Sequence, residues 1–418
     1  MKTAENLMNP FAKGIAFIVR QPRNWKVTAT RASIYRFFYQ MVLPYLSVYI
    51  LALGASGYQL GIVNSVGMGL AGLLGPLTGS LIDRFGNKAL YLTGIVLSAV
   101  SYLVFGIAQS WPIIIIAMLA HWVGFSTSTH NCSVICANSL SNEDRATAMS
   151  VCETLTAGLL GMVGPMVGAF LVTRFGGVNV SGIRPLFFIC LAGTTITFFL
   201  VLTQLSNQKQ VFSGKHGAGF LKGLSQIFGR GQGNARFLVI SALSFLPQGM
   251  IIPFSQAFAS EMKGADSYTL GAMVTGYAIT PFLLGIPIGR LADRIGRKRV
   301  IYCLGPLIWA SSIMLVWAPS DLFLIVSGVL QGFIFVNLII TMAMVFEAAP
   351  QEYMGRWLGI VRLSRLILGA VSAYLAGAIW DHISPAHLFI IFIGIDLFIR
   401  IPLLMSVPEG IKFKNTPE

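Results

Sequence analysis

The chain has 418 residues, of which 55% are hydrophobic and 11% charged, and its mean hydropathy is +0.74. Soluble domains carry about 25% charged residues, so this composition excludes an ordinary soluble protein and indicates a polytopic helical membrane protein. The formal charge of +14 would suggest nucleic acid in a soluble chain, but the basic residues gather at one set of predicted helix ends; the excess reads as topology, and no nucleic-acid partner is expected.

In chain order, residues 1–27 interleave Phe11, Ile15, Phe17, Ile18 and Val19 with Lys13, Arg20, Arg23 and Lys26, and Pro22 interrupts them. This run is too short and too charged for a cleavable signal and reads as an interfacial segment on an anionic leaflet. A span needs about 20 apolar residues. On that measure twelve spans follow, near 28–53, 58–82, 89–108, 112–139, 147–172, 185–205, 237–260, 270–291, 300–318, 321–347, 356–380 and 386–406. They divide into a six-helix bundle over 28–205, a polar, glycine-rich linker over 206–236, a second bundle over 237–406 and a tail over 407–418. Within the linker, residues 220–228 have helical spacing and are expected along the membrane surface. The connections at 55–57, 109–112 and 318–321 lack Lys and Arg while the alternate ones hold the basic clusters, which places both termini in the cytoplasm of a multi-pass plasma (inner) membrane protein. Cys132, Cys136, Cys152, Cys190 and Cys303 all fall in apolar stretches, so no disulfide framework is implied.

One string occurs twice. Gly79-Ser80-Leu81-Ile82-Asp83-Arg84-Phe85-Gly86-Asn87-Lys88 returns 210 residues further on as Gly289-Arg290-Leu291-Ala292-Asp293-Arg294-Ile295-Gly296-Arg297-Lys298. Leu43-Pro44-Tyr45 pairs likewise with Ile252-Pro253-Phe254, and Tyr58-Gln59-Leu60-Gly61 with Tyr268-Thr269-Leu270-Gly271. One unit has been used twice. The string resembles the signature loop of the major facilitator superfamily, which joins helices 2 and 3 and again 8 and 9; Asn87 stands where that family usually has arginine. The resemblance implies two pseudo-symmetric bundles rocking about a midplane site lined by helices one, four, seven and ten. It also implies that Asp83, Arg84, Asp293 and Arg294 gate the cytoplasmic side, with Asp83 meeting Arg356 and Asp293 meeting Arg145. Gly161, Gly164, Pro165 and Gly168 resemble the antiporter motif of helix 5, with Ala169 in place of its last glycine. That favours exchange or export, while close helix packing explains the same glycines.

Charges inside a bilayer are costly and are usually functional or paired. Arg31 is expected to snorkel to headgroups. Asp396 and Arg400, four apart on one helix, are expected to neutralise each other. Arg36, Gln40 and Ser47 form a polar stripe on the first span; Ser241, Ser244, Gln248 and Ser255 form one on the seventh; Gln331 lies in the tenth. Arg362 and Arg365, about 300° apart on the eleventh span, share a face. Arg36, Gln40, His130, Gln248, Gln331, Arg362 and Arg365 are therefore the candidate substrate ligands, with Glu153 and Glu347 as candidate coupling groups. His121 and His130 are about 900° apart and face opposite sides, and the Cys132/Cys136 pair has no co-facial carboxylate or histidine, so no metal site and no cofactor are expected. Arginines in excess of acids point to a small organic anion as substrate, carried by a monomer with a proton or counter-solute as partner. The alternative is a drug-type exporter of amphiphiles, or a membrane sensor on the same scaffold. No nucleophile, base and orienting group stand at workable spacing, so an enzyme is not indicated.

Overall fold

The computed structural model describes residues 17–75, 85–140, 158–206, 232–347 and 354–407. Their helices are α1 (Arg23–Ala52), α2 (Gly57–Leu74), α3 (Asn87–Ile107), α4 (Trp111–Ser139), α5 (Leu159–Arg174) and α6 (Val180–Gln204) in the first half. In the second half α7 is a rod of three pieces (Gln232–Leu243, Leu246–Met250 and Ile252–Lys263), followed by α8 (Ser267–Ile295), α9 (Arg297–Val316), α10 (Asp321–Glu347) and α11 (Met354–His382). The last rod, α12, joins Pro385–Ile395 and Ile401–Met405 through a π-helical turn, Asp396–Arg400. Nine of these rods cross a membrane by length and apolarity of the described residues alone. With the arginine-bearing α1, and with α2 and α5, they make twelve transmembrane helices in two bundles, the all-α architecture that the sequence predicts. Several helices outrun the predicted spans because polar caps extend them; α8 and α9 are separated only by Gly296.

The duplication explains the ends of these helices. Ser56 caps α2 in a reciprocal box with Gln59, and 210 residues on Asp266 caps α8 by accepting from the Thr269 amide at 2.7 Å, each satisfying an otherwise unpaired N–H. In the repeated string Gly86 and Gly296 have φ of 82° and 104° with extended ψ, a region open essentially to glycine. Lys88 donates to the Leu202 carbonyl at 2.9 Å and Lys298 to the carbonyls of Met405 and Val407. In each bundle, then, the loop's lysine caps the C-terminal end of the bundle's last helix, where the dipole favours a cation. Asp83 and Arg84 of the first copy lie outside the described residues.

Glycines bring helices together, both between the bundles and within the first. Gly61 meets the backbone of Ala373 and Gly377 across the α2–α11 contact, Gly271 of α8 lies on Pro165 of α5, and Gly164 and Gly168 of α5 lie on the Phe37 and Met41 carbonyls of α1. The antiporter-like glycines thus serve close packing on α1 and α8. The sides of the molecule are called here the loop end, which carries the repeated string, and the far end. At the far end the bundles are tied by Asp381, which accepts from the Tyr58 amide at 2.9 Å, by Tyr58 against Tyr374 at 2.8 Å, and by Tyr45 and Thr173 against Ser267. Toward the loop end of α8, Gly285 and Gly289 have open space where a Cβ would stand, and Leu283, Ile286 and Leu291 are exposed.

Three intramembrane charges, one pair and one single arginine, are settled by this packing. Arg400 bonds Asp396 through two nitrogens, and the Trp309 indole donates to the same carboxylate at 2.8 Å, so the expected pair exists and has a third member. Arg31 does not snorkel. It is 4% exposed and lies over the rings of Tyr35 (4.8 Å), one turn on along α1 itself, and of Tyr91 (5.1 Å) from α3, so that two π-faces take up the guanidinium.

Candidate functional site

A cavity enclosing about 70 Å3 opens between the bundles. Helices α1, α2 and α4 supply one wall and α7, α8 and α10 the other. The two walls are related by the sequence repeat. Tyr39, Leu43 and Ser47 of α1 correspond to Gln248, Ile252 and Gln256 of α7 in the register of Leu43-Pro44-Tyr45, while Asn64 corresponds to Val274 and His121 to Gln331, 210 residues on.

The local chain explains how these groups face inward. α7 is broken twice, and Pro247 and Pro253 begin its second and third pieces, where the missing proline N–H is not required. Gln248 sits on the short middle piece and Gln256 one turn into the last. Gln331 donates to the Ser255 hydroxyl at 3.0 Å, which itself donates to the Ile251 carbonyl at 2.7 Å, so α10 is latched to the break in α7. Asn64 donates to Leu60 within its own helix.

On the other wall four rings form a ladder. Tyr35 and Tyr39 of α1 stack at 6.0 Å, Tyr39 on His121 at 5.3 Å, His121 on Phe125 at 6.4 Å, and Phe125 back on Tyr35 at 6.3 Å. Trp122 stands edge-on to His121 and Phe125. Offset stacks of this kind add about 0.5–1.5 kcal/mol each beyond burial, and here they fix α1 to α4. Among the described residues, the cavity lining carries amides, hydroxyls, one imidazole and aromatic rings but no Asp, Glu, Lys or Arg.

The predicted ligands divide. Gln248 and Gln331 line the cavity. Gln40 does not: it is buried where Gly164 of α5 presses on α1, and the lining stripe of α1 runs through Tyr39, Leu43 and Ser47 instead, one residue round from Arg36 and Gln40. Arg36 lies one turn from Tyr39 toward the loop end, its Nε buried without a hydrogen-bond partner. Arg362 and Arg365 both turn inward yet go to different bundles, since the residual offset of about 60° between them suffices to separate long side chains. Arg362 donates to the Ser126 carbonyl (3.0 Å) and hydroxyl (2.8 Å) on α4, whereas Arg365, 6% exposed, donates through Nε to Ser241 on α7 and keeps Nη2 buried without a partner. None of the three arginines lines the cavity; they gather on its loop-end side.

Glu347 is 54% exposed and pairs with Arg297 at 2.9 Å, at the loop end rather than in the cavity. Asp293, 67% exposed, reaches Arg297 at 3.4 Å, and Arg294 is exposed. Arg145 and Glu153, and the side chains of His130 and Arg356, lie outside the described residues, as do the linker stretch 220–228 and Asp83. Sequence reasoning missed Tyr39, Asn64, His121, Trp122, Tyr277 and Gln256. For Gln256 a signal existed, because the repeat register pairs it with Ser47.

Comparison with known proteins agrees with this geometry. The sequence profile of the Major Facilitator Superfamily matches residues 32–245 and again 237–415. "Multidrug resistance protein MdtG" of Citrobacter koseri is 25% identical over 301 residues, 67% of this chain and 70% of that protein; the MdtG of Escherichia coli O9:H4 is 25% identical over 296 residues, with 67% and 69% covered. Among solved structures, a point mutant of the nucleoside transporter NupG superimposes with a TM-score of 0.77 at 16% identity over 91% of this chain and 99% of the other. The human organic anion transporter MFSD10 superimposes at 0.62 and 18% identity over 92% and 100%. At these identities the structures are alike in fold.

Proposed function

The chain belongs to the Major Facilitator Superfamily and is a multi-pass secondary transporter, and from that premise we propose that it exports or exchanges a small amphiphilic organic solute across a bacterial inner membrane. The observation that carries this is the cavity itself: both bundles contribute equivalent positions to it, its lining is aromatic and amide-rich, and it is closed by inter-bundle contacts at the far end. A site shared by two rigid bundles changes side when the bundles rock, which is alternating access. The multidrug-resistance names of relatives 25% identical support the export direction.

The loop end is assigned to the cytoplasm by its basic residues, so the conformer is sealed to the outside. Asp83–Arg356 and Asp293–Arg145, with Arg84 and Arg294 beside them, are assigned to the opposite, inward-sealed conformer; the exposure of Asp293 and its engagement by Arg297 support an open loop end here. Proton coupling falls to Glu153, because Glu347 is held by Arg297, with His130 as the alternative carrier.

A second reading, an anionic solute, is favoured by one observation: Arg36 and Arg365 each keep a buried guanidinium nitrogen without a partner beside the cavity, and an unpaired buried cation is costly. Counterflow in proteoliposomes decides. Neutral amphiphiles should exchange through the purified protein, and organic anions should not; exchange confined to anions, lost in Arg365→Lys and Arg36→Lys, would install the second reading. Absence of counterflow by every class would contradict a carrier and favour a sensor.

A further inference from the structure

We infer that the cavity takes an uncharged, planar solute carrying both a hydrogen-bond donor and an acceptor, donating to Gln256 Oε1 on α7 and accepting from Trp122 Nε1 on α4. The inference rests on the transporter reading and names the cargo class of that same site.

The polar inventory of the lining supports it. Gln331 is engaged by Ser255 and Asn64 by Leu60. Gln256 is different: the residue is only 7% exposed, yet its Oε1 has no hydrogen-bond partner among the described residues. Trp122 Nε1 is likewise buried and unpartnered. One is an acceptor and the other a donor, and both belong to residues that line the same cavity. Buried polar groups are ordinarily satisfied, and an orphan is costly enough to call for an explanation. A solute that satisfies both would touch the first bundle through α4 and the second through α7. Binding would then itself join the two bodies that must move together.

Charge and shape narrow the class further. Without a charged group in the described lining, an ionised solute would lose hydration with no counter-ion at that position. The Tyr39–His121 stack and Trp122 offer flat aromatic walls, which suit a ring system. An aromatic primary amide or lactam has the required form; an ester of the same shape accepts but cannot donate.

The test uses three probes of one outline on the purified full-length protein: 2-naphthamide, methyl 2-naphthoate and 2-naphthoate. Calorimetric titration should show the amide binding about ten-fold or more tightly than the ester, since an ester leaves the Gln256 acceptor unmet, and the carboxylate weakest. Gln256→Leu should bring the amide down to the ester's affinity. Gln256→Glu, which keeps an acceptor, should retain the preference. Trp122→Phe should weaken amide and ester alike. An ester binding as well as the amide, a preference surviving Gln256→Leu, tightest binding by the naphthoate, or binding by none of the three would overturn the inference. The wild-type ranking stands even if a variant does not fold. Failure of the transporter reading looks different: the amide would bind with the stated preference and yet show no counterflow.

Discussion

Asp396 and Arg400 illustrate how a charge is kept inside a membrane helix. Their spacing of four made the pair legible in the sequence; the Trp309 donor and the π-turn that holds them were not, because both depend on how α9 packs against α12. Removing one partner leaves the other charged and buried, which costs about 3–5 kcal/mol, whereas replacing both by apolar groups of similar volume is near neutral. Asp396→Asn should therefore lower the melting temperature sharply in detergent, and Asp396→Leu with Arg400→Met should recover most of it. A mild Asp396→Asn would mean that the pair is dispensable. Arg31 was misjudged from sequence for a related reason. One helix cannot announce which neighbour will cover it, and here Tyr91 arrives from α3. Tyr91→Leu should cost about 0.5–2 kcal/mol of stability, read in the same melting assay, and leave binding of cavity ligands unchanged.

Elements were more legible than residues. Apolar runs of about 20 residues predicted the helices, and the repeated string predicted the turn between the second and third and between the eighth and ninth. Gly296→Ala forces a side chain into φ of 104° and should destabilise by about 1–3 kcal/mol, measurable as a lower melting temperature and reduced membrane yield. What periodicity could not give is the discontinuity of α7, since Pro247 and Pro253 each fit a continuous kinked helix equally well. The far-end latch also lay beyond the sequence, as it joins residues 323 apart in the chain. Asp381 of α11 accepts from the first-turn amide of α2, so its carboxylate gains from the dipole of a helix in the other bundle. Asp381→Asn should remove about 0.3–1 kcal/mol from the sealed conformer, shifting its population about two- to five-fold. A cysteine placed at Ser47, in the cavity, should then react faster with an impermeant thiol reagent applied from outside in an otherwise cysteine-free chain; an unchanged rate would show that the latch does not hold the seal.

At the scale of the whole molecule, the duplication is the reason so much could be read. Apolar run length gave the twelve spans; the duplication paired the two halves and placed the shared glycine turn at Gly86 and Gly296, and it also contained the symmetry of the cavity: Ser47 with Gln256, and His121 with Gln331. The arginines attracted attention because charge is conspicuous in an apolar sequence, but packing draws Arg362 to Ser126 and Arg365 to Ser241, while neutral side chains take the walls. Alternating access across a far-end seal is the central claim, and it needs no knowledge of the solute to be tested. With Tyr58→Cys and Tyr374→Cys bridged by a short bis-thiosulfonate reagent in sealed vesicles of known orientation, the Ser47→Cys thiol should be labelled only from the loop end; without the bridge it should be labelled from either side. Labelling of Ser47→Cys from the far end despite the bridge would contradict the account.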